Sequence, residues 1–195
     1  MKIGLFFGTF NPIHVGHLII ANYFAEFTDL DKVWFVVSPH NPLKDKKDLL
    51  NQYDRLHLVK LAIEDDTRFR ASDIEFQLPQ PSYTIDTLTY LKEKYSEHEF
   101  VLLMGSDNLV SINKWKNYRL LLDNYQVYVY KRINSTPDSD YPNVKLFDVP
   151  LLNVSASFIR ECIREKKSVR YLLPESVYKY VTEMNYFKKT SKAAS

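Results

Sequence analysis

Residues 3–19, IGLFFGTFNPIHVGHLI, constrain the fold of this chain more than any other stretch. The apolar run from Ile3 to Phe7 is typical of a strand that is covered on both faces. Gly8 then allows a tight turn without a Cβ penalty, and Pro12 keeps the residue before it out of a helix. From Val15 onward, apolar residues recur with a helical period. The stretch therefore predicts a buried strand, a tight loop and the start of a helix.

Two histidines, His14 and His17, stand three positions apart at the start of the predicted helix. This spacing places both imidazoles on one side of the helix. The first amides of a helix and the positive end of its dipole lie at the same point, and together they favour an anion such as a phosphate. A metal site is the alternative, but no HExxH pattern follows and Cys162 is the only cysteine. The pair therefore favours a phosphate site.

Strands and helices alternate along the rest of the chain. The patterns predict strands at about 3–7, 32–38, 69–76, 99–105, 126–131 and 144–149, and helices at about 15–28, 51–65, 82–95, 106–123, 155–166 and 174–185. This alternation predicts an α/β fold with a mostly parallel central sheet, right-handed crossovers and helices on both faces. Ligands of such sheets bind at the carboxyl ends of strands. We therefore expect the site to be formed by three loops, those that follow 3–7, 33–38 and 100–104.

Length and composition argue against several classes of protein. The 195 residues are 45% hydrophobic and 26% charged, so we expect one domain over 1–187 and a disordered tail over 188–195. The net charge of +2 gives no reason to propose a nucleic-acid partner. No apolar run reaches the length of a membrane span, no signal peptide opens the chain, and the lone Cys162 suits a reducing compartment, so we expect a cytoplasmic protein. The four glycines form neither a GxGxxG fingerprint nor a Walker loop, which argues against a dehydrogenase and a P-loop kinase.

A second stretch, VSASFIRE at 154–161, predicts another helix start. Ser155 or Ser157 can cap this helix, and Arg160 falls in or near its first turn. A cation there opposes the helix dipole unless an anion lies between the two. The alternative is an ordinary capped helix with an exposed arginine. The stretch therefore suggests a second contact to a phosphate, but only in combination with the histidine pair.

These residues resemble two signatures of the nucleotidyltransferases that join a nucleoside triphosphate to a phosphorylated acceptor. GTFNPIHVGH at 8–17 is similar to the HxGH signature, with Asn11 where Asp is commoner. VSASFIRE is similar to the ISSTxIR signature, with Ala156 and Ser157 at the second Ser and the Thr. The resemblance implies a Rossmann-like nucleotidyltransferase fold in which His14, His17 and Arg160 are catalytic. It also implies a set of ATP-binding residues, namely Gly8, Thr9, Phe10, Gly105, Asp107, Ser155, Ser157 and Arg160.

Further stretches are similar to bacterial nicotinate mononucleotide adenylyltransferases. They are SPHNPLK at 38–44, PSYTIDTL at 81–88, DNLVSINKWKNYRLLL at 107–122 and KR at 131–132. The resemblance implies transfer of AMP from ATP to nicotinate mononucleotide, with Mg²⁺ arriving on ATP and no metal site in the protein. It implies that the mononucleotide is bound by Asn11, Lys44, Tyr83, Thr84, Ile85, Trp115, Lys116 and Arg132. The pyridine ring would stack on Trp115, and its carboxylate would meet the amides of Ile85 and Lys116.

Other interpretations of the sequence stay open. Another adenylyltransferase of the superfamily could use nicotinamide mononucleotide or phosphopantetheine, although the latter has no planar ring to stack on Trp115. A regulator could keep the nucleotide-binding fold without catalysis, but both signatures are essentially intact. A fragment of a class I tRNA synthetase would share the HxGH idea, but no basic extension for tRNA is visible. Taken singly, 81–88 could be a capped helix, Trp115 a packing aromatic, Asp107 a helix cap and Lys44 part of a solvated charge run.

Overall fold

The chain is described by a computed structural model over residues 1–40, 48–132 and 141–188. Its strands are β1 (Lys2–Gly8), β2 (Lys32–Val37), β3 (Phe69–Ser72), β4 (Glu99–Gly105), β5 (Gln126–Tyr130) and β6 (Val144–Phe147). They form one six-stranded sheet in the order β3-β2-β1-β4-β5-β6, and every neighbouring pair is parallel. This order is that of a doubly wound Rossmann-type sheet, so the predicted fold is confirmed.

Seven α-helices connect or follow these strands in the described part of the chain. They are α1 (Val15–Phe27), α2 (Gln52–Ile63), α3 (Thr84–Lys94), α4 (Ser106–Val110), α5 (Tyr118–Asn124), α6 (Ala156–Arg164) and α7 (Glu175–Glu183), with single 3₁₀ turns at Ile74–Phe76 and Ile112–Lys114. The predicted elements are all present, with ends that differ by a few residues. Within the same residues, no helix is both long and apolar enough to cross a membrane.

Two apolar cores lie on the two faces of the sheet, because side chains alternate along each strand. Val33 and Phe35 of β2 pack with α1, α2, α6 and α7. Trp34 and Val36 of the same strand pack with α3, α4 and α5. All four side chains are buried, and this double burial is why the strand is a continuous apolar run rather than an alternating one.

One predicted strand, at 69–76, is too long. β3 ends at Ser72, and the chain turns at once, because the Phe76 N–H donates to the Asp73 carbonyl (2.8 Å). Asp is disfavoured in strands, and Glu75 buries its carboxylate beside the Thr87 hydroxyl, which donates to it at 2.9 Å. The last part of the predicted strand, 73–76, therefore forms a turn in which the Glu75 carboxylate is buried and hydrogen-bonded.

Two predictions fall wholly or mostly outside the described residues. Most of the loop 38–48, with Lys44, belongs to the undescribed range 41–47. The tail predicted over 188–195 is described only at Lys188.

Candidate active site

The loop between β1 and α1 makes its turn at Phe10. Phe10 has a φ of +44°, and no glycine of the chain has a positive φ, so the prediction that Gly8 makes the turn is wrong. The Phe10 ring packs edge-on against Phe6, His17 and Phe35, with ring centroids 5.9, 5.1 and 5.6 Å away. Gly8 serves a different purpose, since a Cβ there would lie 2.9 Å from that ring. Packing against rings from β1, α1 and β2 therefore holds a backbone conformation that phenylalanine rarely adopts.

The rings of the two histidines lie against each other at the start of α1, with their planes tilted by 31°. Their ring centroids are 3.8 Å apart, and the spacing argument for one shared side is confirmed. The His14 N–H donates to His17 Nδ1 (3.2 Å), so the proton of a neutral His17 is on Nε2. At Gly16 a Cβ would lie 3.0 Å from His14 Nδ1. The glycine between the histidines is therefore needed for the close approach of the His14 ring.

His14 is neutral at physiological pH. The side chain is buried, and its Nδ1 has no hydrogen-bond partner among the described residues. Burial, with a smaller effect of the Arg132 charge, lowers the pKa of His14 to about 4. An anion bound beside this ring would raise its pKa again, because an opposite charge favours the protonated form.

Helix α6 brings the second signature to the first. Ser155 caps the helix, accepting a hydrogen bond from the Phe158 N–H (3.2 Å), so of the two candidate serines it is Ser155 that caps. Arg160 Nη1 donates to the Asn11 carbonyl (2.9 Å), and Nη2 donates to the Ser157 hydroxyl (3.3 Å). The Arg160 Nε is buried without a partner among the described residues, and burial lowers the pKa of this guanidinium. The arginine therefore lies across the gap between the two signatures.

Asn11 is held by the chain that leads into α2. Its Nδ2 donates to the Asp48 carbonyl (2.8 Å), and its Oδ1 accepts from the Leu50 N–H (3.1 Å). An aspartate could not donate to that carbonyl, which gives a physical reason for asparagine at this position. The Asp48 side chain is itself paired with Arg164 (2.7 Å). The Asn11 side chain thus joins the loop after β1 to the segment that leads into α2. Its second amide hydrogen is the group that could contact the mononucleotide, as the resemblance implies for Asn11.

A third group lies at the carboxyl ends of β4 and β5. Arg132 Nε is 3.4 Å from Asp107 Oδ1, and the backbone N–H of Arg132 donates to the Ser106 hydroxyl (2.8 Å). A Cβ at Gly105 would lie 2.4 Å from Asp107 Oδ1 and 3.0 Å from Arg132 Nε. The glycine therefore makes room for this ion pair. Arg132, predicted to bind the mononucleotide, lies with the predicted ATP-binding residues Gly105 and Asp107.

Residues predicted to bind the pyridine ring of the mononucleotide lie around the start of α3. Lys116 Nζ is 4.9 Å from the centroid of the Tyr83 ring and bonds both oxygens of Asp86, at 2.7 and 3.1 Å. The Tyr83 carbonyl accepts from the Asp86 and Thr87 amides. The Thr84 and Ile85 amides are left at the helix N-terminus, where they donate to no described residue. Trp115 is half-buried and packs against the second core.

Two buried ionisable residues, Arg55 and Glu75, were not among the residues predicted from the sequence. Arg55 is fully buried in α2 and bonds only backbone carbonyls. It occupies the first position of an apolar stripe that continues through Leu58, Val59 and Ala62, and a charge in such a stripe was the available signal. Burial raises the pKa of Glu75, which lies between two apolar residues in the sequence. The described residues contain no cluster of three or more His, Cys, Asp or Glu that could hold a metal.

Comparisons with known proteins agree with this geometry. A family model described as cytidylyltransferase-like matches residues 5–162, which include both signatures. A probable nicotinate-nucleotide adenylyltransferase of Flavobacterium johnsoniae is 54% identical over 193 residues, which is 97% of this chain and 100% of that protein. One from Bacteroides fragilis is 47% identical over 184 residues, covering 93% of this chain and 92% of that protein.

Solved structures share the fold at low sequence identity. Plasmodium falciparum nicotinic acid mononucleotide adenylyltransferase complexed with NaAD matches with a TM-score of 0.81 at 18% identity, over 95% of this chain and 97% of that chain. The same protein complexed with APC matches with a TM-score of 0.79 at 17% identity, over 95% and 96%. With close relatives that span nearly its whole length, the chain belongs to the nicotinate-nucleotide adenylyltransferase family.

Proposed function

We propose that this enzyme transfers the adenylyl group of ATP to nicotinate mononucleotide and releases deamido-NAD and pyrophosphate. The observation that carries the proposal is the meeting of the two signatures. Arg160 bonds the Asn11 carbonyl, and the two adjacent histidine rings follow at the start of α1. The segments that carry these three side chains thus meet at the carboxyl edge of the sheet, where ligands of this fold bind.

The chemistry needs little from the protein beyond alignment and charge. The phosphate of the mononucleotide is already largely anionic near neutral pH, since its second pKa is about 6. One of its oxygens attacks the α-phosphorus of ATP, the bond from that phosphorus to the bridging oxygen breaks, and pyrophosphate leaves with the electron pair. No general base and no covalent enzyme intermediate are required. Catalysis comes from an in-line approach and from neutralising the charge that grows on the leaving group.

The residues proposed to bind ATP, which form the nucleotide side of the site, neutralise that charge. His17, with its Nδ1 occupied by the His14 N–H, presents Nε2–H as a donor. Arg160 contributes a fixed positive charge, and the amides of Thr9 and Phe10 and the hydroxyls of Ser155 and Ser157 complete the proposed set. His14 starts neutral, and its pKa of about 4 rises as the polyphosphate binds, so protonation can follow binding.

The acceptor side recognises an acid by main-chain donors. We propose that the ring stacks on Trp115 and that its carboxylate meets the amides of Ile85 and Lys116. The position of Ile85 near the N-terminus of α3 supports this, because unpaired helix amides favour an anion. Tyr83 and Thr84 flank the same helix start, and Lys44, outside the described residues, remains the proposed contact to the acceptor phosphate. Arg132, beside Asp107, is proposed to contact the mononucleotide.

Magnesium is proposed to enter as part of the substrate, on ATP. Among the described residues, Asp107 belongs to no group of three or more potential metal ligands and is paired with Arg132. This fits an ion that keeps most of its ligands as phosphate oxygens and water. Such an ion would neutralise part of the negative charge on the departing pyrophosphate. We further propose that residues 1–187 form a single domain and that the enzyme works in the cytoplasm, where its substrate ATP is abundant.

Pyrophosphate release is the direct test. The full chain is incubated with MgATP and, separately, with nicotinate mononucleotide, nicotinamide mononucleotide and phosphopantetheine. We expect the fastest release with nicotinate mononucleotide and negligible release without an acceptor. Preference for phosphopantetheine, or no release with any acceptor, would overturn the proposal.

A further inference from the structure

Arg55, the buried arginine of α2, lies next to the loop between β1 and α1 and donates hydrogen bonds to four main-chain carbonyls. Its Nη1 donates to the carbonyls of Thr9 (2.6 Å) and Ser38 (2.7 Å), its Nη2 to that of Pro39 (2.7 Å), and its Nε to that of Leu50 (3.0 Å). These carbonyls belong to the loop after β1, the loop after β2 and the approach to α2. One side chain therefore joins three segments at the carboxyl edge of the sheet.

Simple packing does not account for a charge at this position. Its neighbours on the buried face of α2, Leu58 and Val59, are apolar, and an apolar side chain would satisfy the same core at no desolvation cost. Among the ion pairs of the described residues, none includes Arg55. Burial lowers the pKa of Arg55 only to about 10, so the side chain stays charged. Its hydrogen bonds run entirely to backbone, which means that its effect is to fix the direction of peptide groups.

The Thr9–Phe10 peptide is the group whose direction matters for function. The only cis bonds in the described chain precede Pro12 and Pro81, so this peptide is trans, and its C=O and N–H point in opposite directions. Since the Thr9 oxygen points at Arg55, the Phe10 N–H points away from Arg55. That N–H donates to no described residue. The φ of +44° at Phe10 is costly for a non-glycine residue, and a fixed acceptor on one side helps to hold it.

We infer that Arg55 is a positioning residue for the nucleotide site, which turns the Phe10 amide toward the polyphosphate of ATP by holding the Thr9 carbonyl. The inference rests on the proposed function, because ATP is the proposed ligand of this loop. Arg55 itself touches no substrate. By also holding Ser38 and Pro39 it fixes the end of β2 relative to the same loop.

The test uses inorganic tripolyphosphate as the probe and the full chain as the protein. Binding is measured by titration calorimetry for the wild type, for Arg55→Lys and for Leu58→Ala, at a temperature where circular dichroism shows each to be folded. Leu58→Ala is the matched control, because it opens a cavity on the same buried face of α2 without removing a bond to the loops. We expect Arg55→Lys to lose about 10- to 100-fold in tripolyphosphate affinity and in kcat, as misplacement of a positioned group does. We expect Leu58→Ala to bind tripolyphosphate as the wild type does.

A second measurement stands even if Arg55→Lys does not fold. In the wild type, the ¹⁵N–¹H resonance of Phe10 should shift strongly when tripolyphosphate is added. Arg55→Lys that binds as tightly as the wild type, Leu58→Ala that loses as much, or a Phe10 resonance that does not move would each overturn the role of Arg55. A wild type that binds no tripolyphosphate would overturn the phosphate site itself, which separates failure of the proposed function from failure of this inference.

Discussion

The two sides of the proposed reaction site are built in different ways. On the nucleotide side, His14 is buried, with 6% of its surface exposed, and Arg160 of α6 donates to the carbonyl of Asn11 on the loop after β1. On the ring side, the Lys116–Asp86 pair is about half in water, with side-chain exposures of 42% and 49%. Buried polar groups lose much when a partner is removed, whereas exposed ion pairs contribute little. Substitutions on the nucleotide side should therefore change turnover or stability strongly, and those of side chains on the ring side should tune substrate preference.

The largest effect is expected from removing the charged donors of the nucleotide side. His17→Ala and Arg160→Ala should each lower kcat by about 10²–10³, the range for losing one preorganised donor to developing charge. Steady-state kinetics with both substrates measures this. Arg164→Ala is the matched control on α6, because its partner is Asp48 rather than a proposed ligand, and it should stay near the wild-type rate. Near wild-type turnover in folded His17→Ala or Arg160→Ala would show that the residue has no such role.

The second expected effect is on stability at low pH, and it depends on His14. Its pKa is about 4 in the folded chain against an ordinary value of 6.5. As pH falls below 6.5, His14 becomes protonated in the unfolded chain but stays neutral in the folded chain until about pH 4. The free energy of unfolding therefore decreases over that pH range. The loss amounts to at most about 3 kcal/mol. Urea unfolding of the wild type and of His14→Asn at pH 7 and pH 4 measures it, and the variant should lose less stability than the wild type between the two. Equal losses would mean that His14 is not the group responsible.

The sequence predicted the fold well because strands and helices leave local patterns. Alternating strands and helices fix where the carboxyl ends of parallel strands meet, so the loops that follow β1, β2 and β4 could be expected at one edge. The same logic gave the parallel sheet and the placement of Gly105 and Asp107. That Arg160 joins the histidine pair at this edge was implied by the resemblance to the two signatures.

Other features could not be predicted because they depend on contacts between separate elements. The turn at Phe10 rather than Gly8 is held by rings from β1, α1 and β2, namely Phe6, His17 and Phe35, which become neighbours only in the folded protein. Arg55 was visible as a charge in an apolar stripe, but its carbonyl partners become neighbours only in the folded sheet. Local patterns thus give the position of a site, and tertiary packing gives the direction of its donors.

The third expected effect is discrimination between acid and amide substrates. A carboxylate offers two acceptor oxygens to the amides of Ile85 and Lys116, whereas a carboxamide turns an NH₂ toward one of them. A hydrogen bond to a charged group is worth about 1.5–3 kcal/mol, so the acid should be favoured by roughly 10²-fold or more in kcat/KM. Comparing nicotinate and nicotinamide mononucleotides measures this, and equal use of the two would refute the assignment of those amides.

Stacking on Trp115 should affect both mononucleotides alike, which separates it from recognition of the carboxylate. Trp115→Ala should weaken each by about 1–3 kcal/mol, by analogy with base–aromatic stacking, and leave their ratio unchanged. Trp115→Phe is the matched control, because it keeps a ring and should recover part of the loss. A change confined to the acid would mean that Trp115 acts on the carboxylate and not on the ring.

The smallest effect is expected from the Lys116 side chain, which pairs with Asp86. Asp86 lies in the first turn of α3, close to the amides proposed to bind the ring carboxylate, and Lys116 Nζ neutralises it at 2.7 Å. In Lys116→Ala the backbone amide of residue 116 remains as the proposed donor, but the charge of Asp86 is no longer compensated. That charge repels the carboxylate of the acid and has little effect on the uncharged carboxamide. The pair is exposed, and an interaction of about 0.2–1 kcal/mol corresponds to a loss of up to about fivefold in kcat/KM for the acid alone. Adding Asp86→Ala should restore most of the preference for the acid, since the repelling charge is then gone. If the single variant loses both substrates equally, Lys116 contributes to structure, and if the double variant recovers nothing, its ammonium meets the acid directly.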